Sequence, residues 1–414
     1  MRKRTILSAL LATLWASAAF AQQSLPGLDL QRVIDTYIQN NLEIQTARYK
    51  LERTRADQIA ARLRPNPSIA VTAENLPVSG PTPFGRLYEI GTTYTETIEL
   101  GGKKAQREKT ANATVSAAEL QFEDTMRRGL AEVKRLYLEA LLARYHVELA
   151  TEGRQTFEQL LQFNQTRFQE GAIPEVDLIK VRLERVKFDS SVKHAELGLW
   201  QAEIRLLEKM GLPFFLRQTI SGDLTRRLVD FDLGSLNQVA LAERSDIRAA
   251  TAEVTAANER LALERARAKP DISPFAGYKR VGNDNTLLVG VNIPLKVRDR
   301  NEAEIARAEL DVKAAEVRLQ ITRNHAQAEV GAAFAAFQTS RDLVDMFESG
   351  LLAQADESRS ITLAAYEEGG TELLPVFDAQ RTRTEVRSQY FKTLFDYQAS
   401  VVALQLAVGK DIQP

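Results

Sequence analysis

The sequence predicts a mainly α-helical protein with two β-hairpins, built from a duplicated helix-hairpin-helix unit. Three observations lead to this prediction: two very long segments without proline, four short stretches that alternate apolar and polar residues, and motifs that recur after about 200 residues. Only 13 of the 414 residues are proline and 21 are glycine, and they cluster in a few places. The segments between these clusters are rich in Ala, Glu, Arg, Leu and Gln, a composition that favours helix.

The duplication is visible as pairs of short motifs that recur after roughly 200 residues. The matched pairs are Leu28-Asp29-Leu30 with Phe231-Asp232-Leu233, Pro67-Ser68-Ile69 with Pro270-Asp271-Ile272, and Phe168-Gln169-Glu170-Gly171 with Tyr366-Glu367-Glu368-Gly369. We therefore expect two structural repeats, over about 28–211 and 231–409. In each repeat the sequence predicts the same order of elements: two helices, a strand, a loop, a second strand, a long helix, a turn and a final helix.

Four strands are expected, two in each repeat. Their predicted bounds are 68–75, 88–100, 272–281 and 286–295. In the last of these, every second residue from Leu287 to Leu295 is apolar, and Gly282-Asn283-Asp284-Asn285 precedes it as a hairpin turn. Glu96 interrupts the apolar face of the second strand, and a protein neighbour or an aqueous rim would each explain it. Strands of about 9–11 residues have the length that crosses a bilayer when tilted.

The two longest helices are predicted over Lys103–Gln169 and Asn301–Glu368, which contain no proline. Gly129 and Gly153 lie within the first, and Gly331 and Gly350 lie within the second. At 1.5 Å per residue each would be about 100 Å long. Globular helices are usually about 8–20 residues long, so these lengths predict coiled-coil-like packing against neighbours.

Residues 1–21 have the organisation of a secretory signal peptide. A charged start, Met1-Arg2-Lys3-Arg4, precedes an apolar stretch and the small-x-small site Ala19-Phe20-Ala21. We expect a mature chain over 22–414, and the alternative is an N-terminal membrane anchor. The chain has no cysteine, which excludes a lipid anchor on Cys, disulfides and thiolate metal sites.

Composition and motifs argue against an enzyme. With 54 Lys and Arg against 55 Asp and Glu, no net charge favours nucleic acid. Beyond the signal segment no run of about 18 apolar residues predicts a membrane-spanning helix. The three histidines, His146, His194 and His325, are isolated, and Gly101-Gly102-Lys103 lacks the upstream glycine of a phosphate loop. We predict no catalytic residues, no cofactor and no metal site.

The four alternating strands predict an assembly of several chains. In lipid a sheet has to close so that every backbone polar group finds a partner, and known single-chain barrels have at least about eight strands. Four strands are too few, whereas three chains would supply twelve. The alternative is a soluble protein whose two hairpins pack on its own helices.

Several motifs resemble those of the TolC family of outer-membrane channels, and the similarity covers the mature chain. The motifs are Arg64-Pro65-Asn66-Pro67-Ser68, Glu74-Asn75, Thr97-Ile98-Glu99-Leu100-Gly101-Gly102-Lys103-Lys104, Ile293-Pro294-Leu295 and Arg298-Asp299-Arg300-Asn301. They are similar to the cobalt-zinc-cadmium branch typified by CzcC.

The resemblance implies a homotrimer with a twelve-stranded outer-membrane barrel, continued by a long periplasmic α-helical barrel. It also implies docking to a periplasmic adaptor (a membrane fusion protein) and to an inner-membrane resistance-nodulation-division (RND) transporter. Such a duct would conduct divalent heavy-metal cations passively. The alternatives are the same duct in drug efflux or type I protein secretion, or a periplasmic coiled-coil adaptor.

The resemblance places the gate of such a channel at the turns that follow the two long helices. Asp177 and Asp378 occupy positions where acidic residues line the family's periplasmic constriction, and Tyr366 matches an aromatic residue that helps to hold the tip closed. Three copies of each carboxylate would form a negative ring that binds or selects cations. Asp177 also fits ordinary chemistry at a helix N-terminus.

The turns themselves are candidates for adaptor docking. They contain Gly171, Glu368, Gly369 and Gly370, and the glycines are also expected to shape the turns. The chain departs from the family pattern nearby. Pro375 stands where the family has a second acidic residue, and Thr371 stands where it has a basic one.

Overall fold

The computed structural model describes residues 27–76, 78–81, 83–213, 219–226 and 230–411. The expected signal peptide at 1–21 lies outside these residues. The helices are α1 Leu30–Asn40, α2 Leu42–Arg62, α3 Phe84–Leu87, α4 Lys103–Gln169, α5 Glu175–Met210, α6 Leu233–Glu243, α7 Ser245–Arg267, α8 Glu302–Met346, α9 Leu352–Glu367 and α10 Leu373–Val408. The strands are β1 Ser68–Glu74, β2 Glu89–Thr95, β3 Ser273–Val281 and β4 Asp284–Asn292.

The four strands form one antiparallel sheet in the order β1-β2-β3-β4. Ser68 pairs with Thr95, Thr95 with Phe275 and Ser273 with Asn292, so these residues lie at one end of the sheet. We call this the helix end, because each strand continues there toward a helix. The hairpins of the two repeats join through β2 and β3, and β1 and β4 are the edges of an open sheet.

The strands begin and end at slightly different residues from those predicted. Strand β2 ends at Thr95 instead of residue 100, although Ile98 still forms an isolated bridge with Ile272. Beyond it the Asp271 carboxylate accepts a hydrogen bond from the Leu100 backbone N–H at 3.0 Å, so a side chain replaces the ladder. Glu96 is exposed and follows the last residue of β2. Its backbone N–H donates a hydrogen bond to Pro274 O.

The second hairpin has a tighter turn than the sequence predicted. Val281 pairs with Asp284, so only Gly282 and Asn283 form the turn, and Asp284 and Asn285 belong to β4. The positive φ of Gly282, 55°, suits this two-residue connection. β4 ends at Asn292 instead of residue 295, two residues before Pro294, whose nitrogen has no hydrogen to donate.

The register assigns an apolar and a polar face to the sheet. The apolar face carries Ile69, Val71, Ala73, Ile90, Thr92, Tyr94, Pro274, Ala276, Tyr278, Leu287, Val289 and Val291, with the polar residues Arg280 and Asn285 at the end away from the helices. The opposite face is rich in Thr, Ser and Gly, and there Lys279 forms ion pairs with Glu74 and Glu89. Leu287 and Val289 are 83% and 82% exposed, so none of the described residues covers them.

The chain divides into two compact units. The unit that contains the sheet comprises Leu42–Ala131, Leu228–Phe337 and Ala403–Pro414. Its core includes Ile44, Ile247, Val330, Phe337 and Leu404. A buried cation belongs to the same core: Arg244 bonds to Asp246, to Glu329 at 2.7 Å and to the Ala407 carbonyl at 2.8 Å. These partners satisfy a charge that would otherwise be costly to bury.

The other unit comprises Met1–Asn41, Glu132–Arg227 and Gln338–Val402. Its core is built by helices, with Tyr37, Tyr137, Phe157, Leu206 and Tyr397 among its buried residues. Both turns that the sequence singled out lie in this unit.

The second long helix is interrupted, contrary to the prediction of one helix over 301–368. A π-helical segment, Phe347–Leu351, separates α8 from α9, and Gly350 in it has φ 147° and ψ −17°. Glu348 of this segment accepts a hydrogen bond from the Tyr390 hydroxyl at 3.0 Å and pairs with Arg226. The conformation of Gly350 is one that residues with a side chain rarely adopt.

Across the described part of the chain, none of the helices combines the length and the hydropathy needed to cross a membrane.

Candidate functional site

The two candidate turns have the same backbone geometry. At the end of α4, Gly171 has φ 73° and its N–H donates to Phe168 O, while the Ala172 N–H donates to Arg167 O. At the end of α9 the same two bonds join Gly369 N–H to Tyr366 O and Gly370 N–H to Ala365 O. Both are Schellman motifs, which satisfy the last carbonyl groups of a helix. The repeats therefore end their long helices in the same way.

The four predicted turn residues are all exposed, and they differ in what they do. Gly171 and Gly369 have positive φ angles, as expected of turn glycines, whereas Gly370 does not. Glu368 is the C-cap of α9 and its N–H donates to Ala364 O. The turn after α9 therefore presents exposed glycines and the Glu368 carboxylate at the surface of this unit.

An apolar cluster lies beneath the turns and joins four helices of this unit. Its members are Phe157, Leu160 and Leu161 of α4, Leu178 and Val181 of α5, Tyr366 of α9, and Leu373, Val376 and Phe377 of α10. The ring of Phe157 stacks on Phe188 at 4.6 Å and meets Phe377 at 5.4 Å between centroids. Close packing of this kind fixes the positions of the turns above it.

Tyr366 is part of this cluster and is only 5% exposed. Its hydroxyl donates a 2.5 Å hydrogen bond to Asn164 Oδ1, and the guanidinium of Arg167 lies 5.6 Å from its ring centroid. Burial raises the pKa of the Tyr366 phenol, and the negative charge of Asp177 adds to the increase. Within one chain Tyr366 thus joins α9 to α4.

Asp177 lies in the first turn of α5. Its backbone N–H donates to Pro174 O at 3.1 Å, and its carboxylate pairs with Lys180 at 2.9 Å. The side chain is 29% exposed. These contacts fit the interpretation of Asp177 as an ordinary residue of a helix N-terminus. Its carboxylate forms an ion pair with a residue of the same helix.

Asp378 is far more open. It is the sixth residue of α10, its side chain is 63% exposed, and Arg381 lies 3.9 Å away. An exposed pair at this distance contributes little to stability. Among the described residues no other ion pair holds the Asp378 carboxylate, which leaves it accessible to a cation or to a second copy of the chain.

A cluster of arginines and carboxylates, which sequence reasoning missed, lies on the same helices. Arg383 of α10 is buried and bonds to Asp356 of α9 at 2.6 Å and to Glu152 of α4 at 2.7 Å. Arg387 reaches the same two carboxylates, at 2.8 Å and 3.5 Å. We call these four residues and Arg359 the arginine cluster. The spacing of Arg383 and Arg387 put both on one face of α10, but nothing in the sequence identified their partners.

In this cluster, burial and hydrogen bonding shift the pKa of a carboxylate in opposite directions. Burial alone would raise the pKa of Asp356, but hydrogen bonds from Arg387 and Arg383 outweigh it and lower that pKa. Arg359 bonds to the neutral side chains of Gln380 and Thr156. Its pKa is lowered, first by burial and then by repulsion from Arg383. The cluster therefore ties α4, α9 and α10 together by charge.

Within the described residues there is no group of three or more His, Cys, Asp or Glu side chains suited to holding a metal ion. Burial lowers the pKa of His146, and His325 lies 3.2 Å from Glu329. His146 is therefore a packing residue, and His325 is a surface residue.

The sequence profile of the family described as "Outer membrane efflux protein" matches residues 33–212 and again residues 236–410. The chain is 26% identical over 398 residues to the cobalt-zinc-cadmium resistance protein CzcC of Cupriavidus metallidurans, covering 94% of this chain and 92% of that one. It is 24% identical over 293 residues to the cation efflux system protein CusC of Escherichia coli, covering 68% and 64%.

A solved structure shares the fold. The outer membrane channel CmeC of Campylobacter jejuni superposes with a TM-score of 0.76 at 17% identity, over 95% of this chain and 91% of that one. The resemblance to TolC-family channels of the CzcC-like branch is confirmed. The two profile matches also fall one in each repeat, and together they cover most of the sequence. The chain belongs to the outer membrane efflux protein family.

Proposed function

We propose that the chain is one of three protomers of an outer-membrane exit duct in a tripartite RND-type efflux system. In this proposal the sheet crosses the outer membrane as one third of a twelve-stranded barrel, the long helices extend into the periplasm, and residues 1–21 direct export. Membership of the outer membrane efflux family supports this location.

The observation that carries the proposal is the open sheet. Strands β1 and β4 have unpaired edges, and an exposed apolar face extends across all four strands. Unpaired strand edges are prone to pair with other chains in water and are not tolerated in lipid. Because the strands alternate in direction, β4 of one copy is antiparallel to β1 of the next, so identical copies can close the sheet without reversing a strand.

The alternation of the two faces also fits the wall of a barrel. The apolar face combines aliphatic residues with Tyr94 and Tyr278, which lie in adjacent rows, one near the helix end and one level with the middle of β2. An apolar exterior that alternates with a polar interior along each strand is typical of outer-membrane barrels. The Thr-, Ser- and Gly-rich face would then line the aqueous interior.

Cysteine cross-linking at the sheet edges tests the assembly. The chain has no native cysteine, so Thr72→Cys in β1 can be combined with Thr286→Cys, Leu288→Cys or Gly290→Cys in β4. We expect one combination to give a disulfide-linked trimer that dissociates on reduction, while each single variant stays uncross-linked. A monomer or dimer by mass in detergent, with no cross-link for any pair, would contradict the proposal.

We propose divalent heavy-metal cations as the cargo and a periplasmic adaptor and an RND transporter as partners. Support comes from the relatives, which are named for cobalt-zinc-cadmium resistance and for cation efflux. The test is deletion of the gene, with complementation, followed by growth on cobalt, zinc and cadmium salts and on a panel of organic drugs. Sensitivity to the metals alone is expected, whereas sensitivity to drugs alone would assign the duct to drug efflux.

We also propose that Asp378 and Asp177 line a cation-binding constriction. The exposure of Asp378 and its weak pairing with Arg381 support this role more strongly than the environment of Asp177 does. In planar bilayers we expect Asp378→Asn to weaken block by multivalent cations and Asp177→Asn to weaken it less. Asp342→Asn, at another exposed carboxylate, is the matched control. Unchanged block in both gate variants would refute the proposal.

A further inference from the structure

An unbalanced set of basic residues surrounds the helix end of the sheet. Four chain segments meet there, at 62–67, 96–104, 264–272 and 293–302, and they contain ten Lys and Arg against six Asp and Glu. At the opposite end, segments 74–89 and 279–284 contain three of each. The excess of positive charge is therefore confined to one end of the sheet.

Six of these cations are exposed and form no ion pair within 4.0 Å among the described residues, although Lys296 interacts with the Asp271 carboxylate at longer range. They are Arg62, Arg64, Lys269, Lys296, Arg298 and Arg300, which we call the basal collar. Other cations in the same segments are paired, for example Lys103 with Asp271 at 2.7 Å and Arg267 with Glu264 at 2.7 Å. The exposed carboxylates that share the segments are Glu96, Asp299 and Glu302, fewer than the six cations.

The collar directly adjoins the apolar face. After Val291 the chain continues as Ile293-Pro294-Leu295-Lys296-Val297-Arg298, and Leu295 and Val297 are 77% and 71% exposed. Apolar and cationic side chains that alternate at the border of an apolar band suit the boundary between hydrocarbon and lipid head groups. Basic residues at such a boundary are attracted to anionic lipids.

We propose that the basal collar binds the phosphate groups of anionic glycerophospholipids in the leaflet at the helix end of the sheet. This inference rests on the proposed membrane-crossing role of the strands. Four of the six residues are arginines, whose planar guanidinium can donate two parallel hydrogen bonds to one phosphate. The collar would fix the depth of the sheet in the membrane, because it cannot enter the hydrocarbon and is attracted to its border.

The test uses the purified full-length protein in detergent, with added phosphatidylglycerol, phosphatidylcholine or inorganic phosphate. The variant Lys296→Gln/Arg298→Gln/Arg300→Gln removes half of the collar. The matched control Lys313→Gln/Arg318→Gln/Arg323→Gln removes three exposed, unpaired cations of α8 that begin about 16 Å along the helix from its first residue. Lipid binding is measured by native mass spectrometry, and the thermal unfolding midpoint is recorded for each mixture.

For the wild type we expect phosphatidylglycerol to bind more tightly than phosphatidylcholine and to raise the unfolding midpoint. Each removed cation should weaken phosphatidylglycerol binding about fivefold, so the collar variant should lose the preference while the α8 control keeps it. A collar variant that retains the preference would overturn the proposal. Equal protection by inorganic phosphate would indicate a free-phosphate site and would overturn it too.

The mass of every variant is measured in parallel, which separates this proposal from the one on which it rests. A wild-type trimer that binds both lipids equally would refute only the collar. A protein that is not a detergent-extracted oligomer would refute the membrane duct itself. If the collar variant does not assemble, the single variants Arg298→Gln and Arg300→Gln give the same comparison with smaller changes in charge.

Discussion

Tyr366 and Asn164 form a buried polar pair within the apolar cluster beneath the turns. The hydroxyl of Tyr366 donates to Asn164 Oδ1, and the Asn164 amide donates to Leu160 O at 2.8 Å. Asn164 is fully buried. Each polar group in the pair therefore depends on the other for a partner that water cannot supply.

Removing the hydroxyl should leave Asn164 Oδ1 without that partner. We expect Tyr366→Phe to lower the free energy of unfolding by about 1–3 kcal/mol, the cost of an unsatisfied buried group. Thermal or denaturant unfolding in detergent measures this change. The double variant Tyr366→Phe/Asn164→Leu should recover part of the loss, and a single variant as stable as the wild type would contradict this account.

The arginine cluster predicts a dependence of stability on pH. The pKa of Asp356 is lowered in the folded chain, so the unfolded chain binds that proton more readily as the pH falls. The contribution of Asp356 is complete above the ordinary Asp pKa of about 4 and is lost as the pH falls through the lower folded value.

Asp356→Asn should therefore be less stable than the wild type at pH 7, and the two should converge as the pH falls below about 4. The unfolding midpoint recorded from pH 7 to pH 3 measures the convergence. Asp342→Asn, at an exposed carboxylate, should stay close to the wild type throughout. A gap between Asp356→Asn and the wild type that widens toward low pH would show that the sign is wrong.

At the scale of single residues, the sequence predicted where the candidate residues lie better than it predicted which side chains surround them. It identified Asp177, Asp378 and Tyr366, and all three lie beside the predicted turns. It missed Asn164, Arg383 and the partners of Arg383, because their roles depend on contacts between residues about 27 to 231 positions apart. Such pairings depend on helix packing, which a single sequence does not specify.

The two Schellman motifs are the clearest features at the scale of elements. Gly171 and Gly369 take left-handed conformations with open space where a Cβ would lie, so any penalty for a side chain there is conformational. Gly370 follows immediately but has no positive φ. Position 369 therefore requires a residue that tolerates a positive φ angle, whereas position 370 does not.

We expect Gly369→Ala to destabilise the end of α9 by about 1–2 kcal/mol, the cost of a left-handed residue with a Cβ. Gly370→Ala should cost less, since its Cβ would meet only Ala365 O at 3.4 Å. Hydrogen exchange of the amides around the turn, compared between the two variants, measures the local effect. Equal protection in both variants would argue against the conformational explanation.

Most elements were predictable because their signals are local. The first long helix has the predicted bounds of Lys103–Gln169, since an unbroken run without proline is a strong helix signal. Strand ends were less predictable, because at β2 the ladder gives way to a bond between Leu100 and Asp271, from the other repeat. The break at Gly350 was also missed, since one glycine inside a helical pattern does not by itself predict a change of helix type.

At the scale of the whole molecule, duplication produces a sheet whose two hairpins are joined by β2 and β3. Each repeat contributes one hairpin and one helix that ends in a Schellman turn, α4 in the first repeat and α9 in the second. The copies have diverged at the turns, where buried Tyr366 stands at the position of Phe168, which is 39% exposed. The motif pairs predicted this organisation, and strands β1 and β4 remain the edges of the sheet among the described residues.

The direction of the apolar face predicts which substitutions the assembly tolerates. Val289 and Leu288 are neighbours in β4 that point to opposite faces. A lysine at position 289 would face the hydrocarbon, at a cost of about 2–4 kcal/mol near the bilayer centre. We therefore expect Val289→Lys to reduce the yield of heat-modifiable, membrane-assembled protein.

Leu288→Lys is the control, because its charge would face the polar side of the sheet. Semi-native electrophoresis of outer-membrane fractions, with and without heating, compares the two variants. Equal assembly of both would mean that the apolar face does not contact lipid. The reverse order would mean that the two faces are exchanged.

The segment Phe347–Leu351 marks a kink between α8 and α9, because Gly350 within it has a non-helical backbone conformation. The α-helical spacing of 3.6 residues per turn does not continue through such a segment. The faces of α9 therefore have to be assigned from α9 itself, and not by counting apolar positions forward from α8.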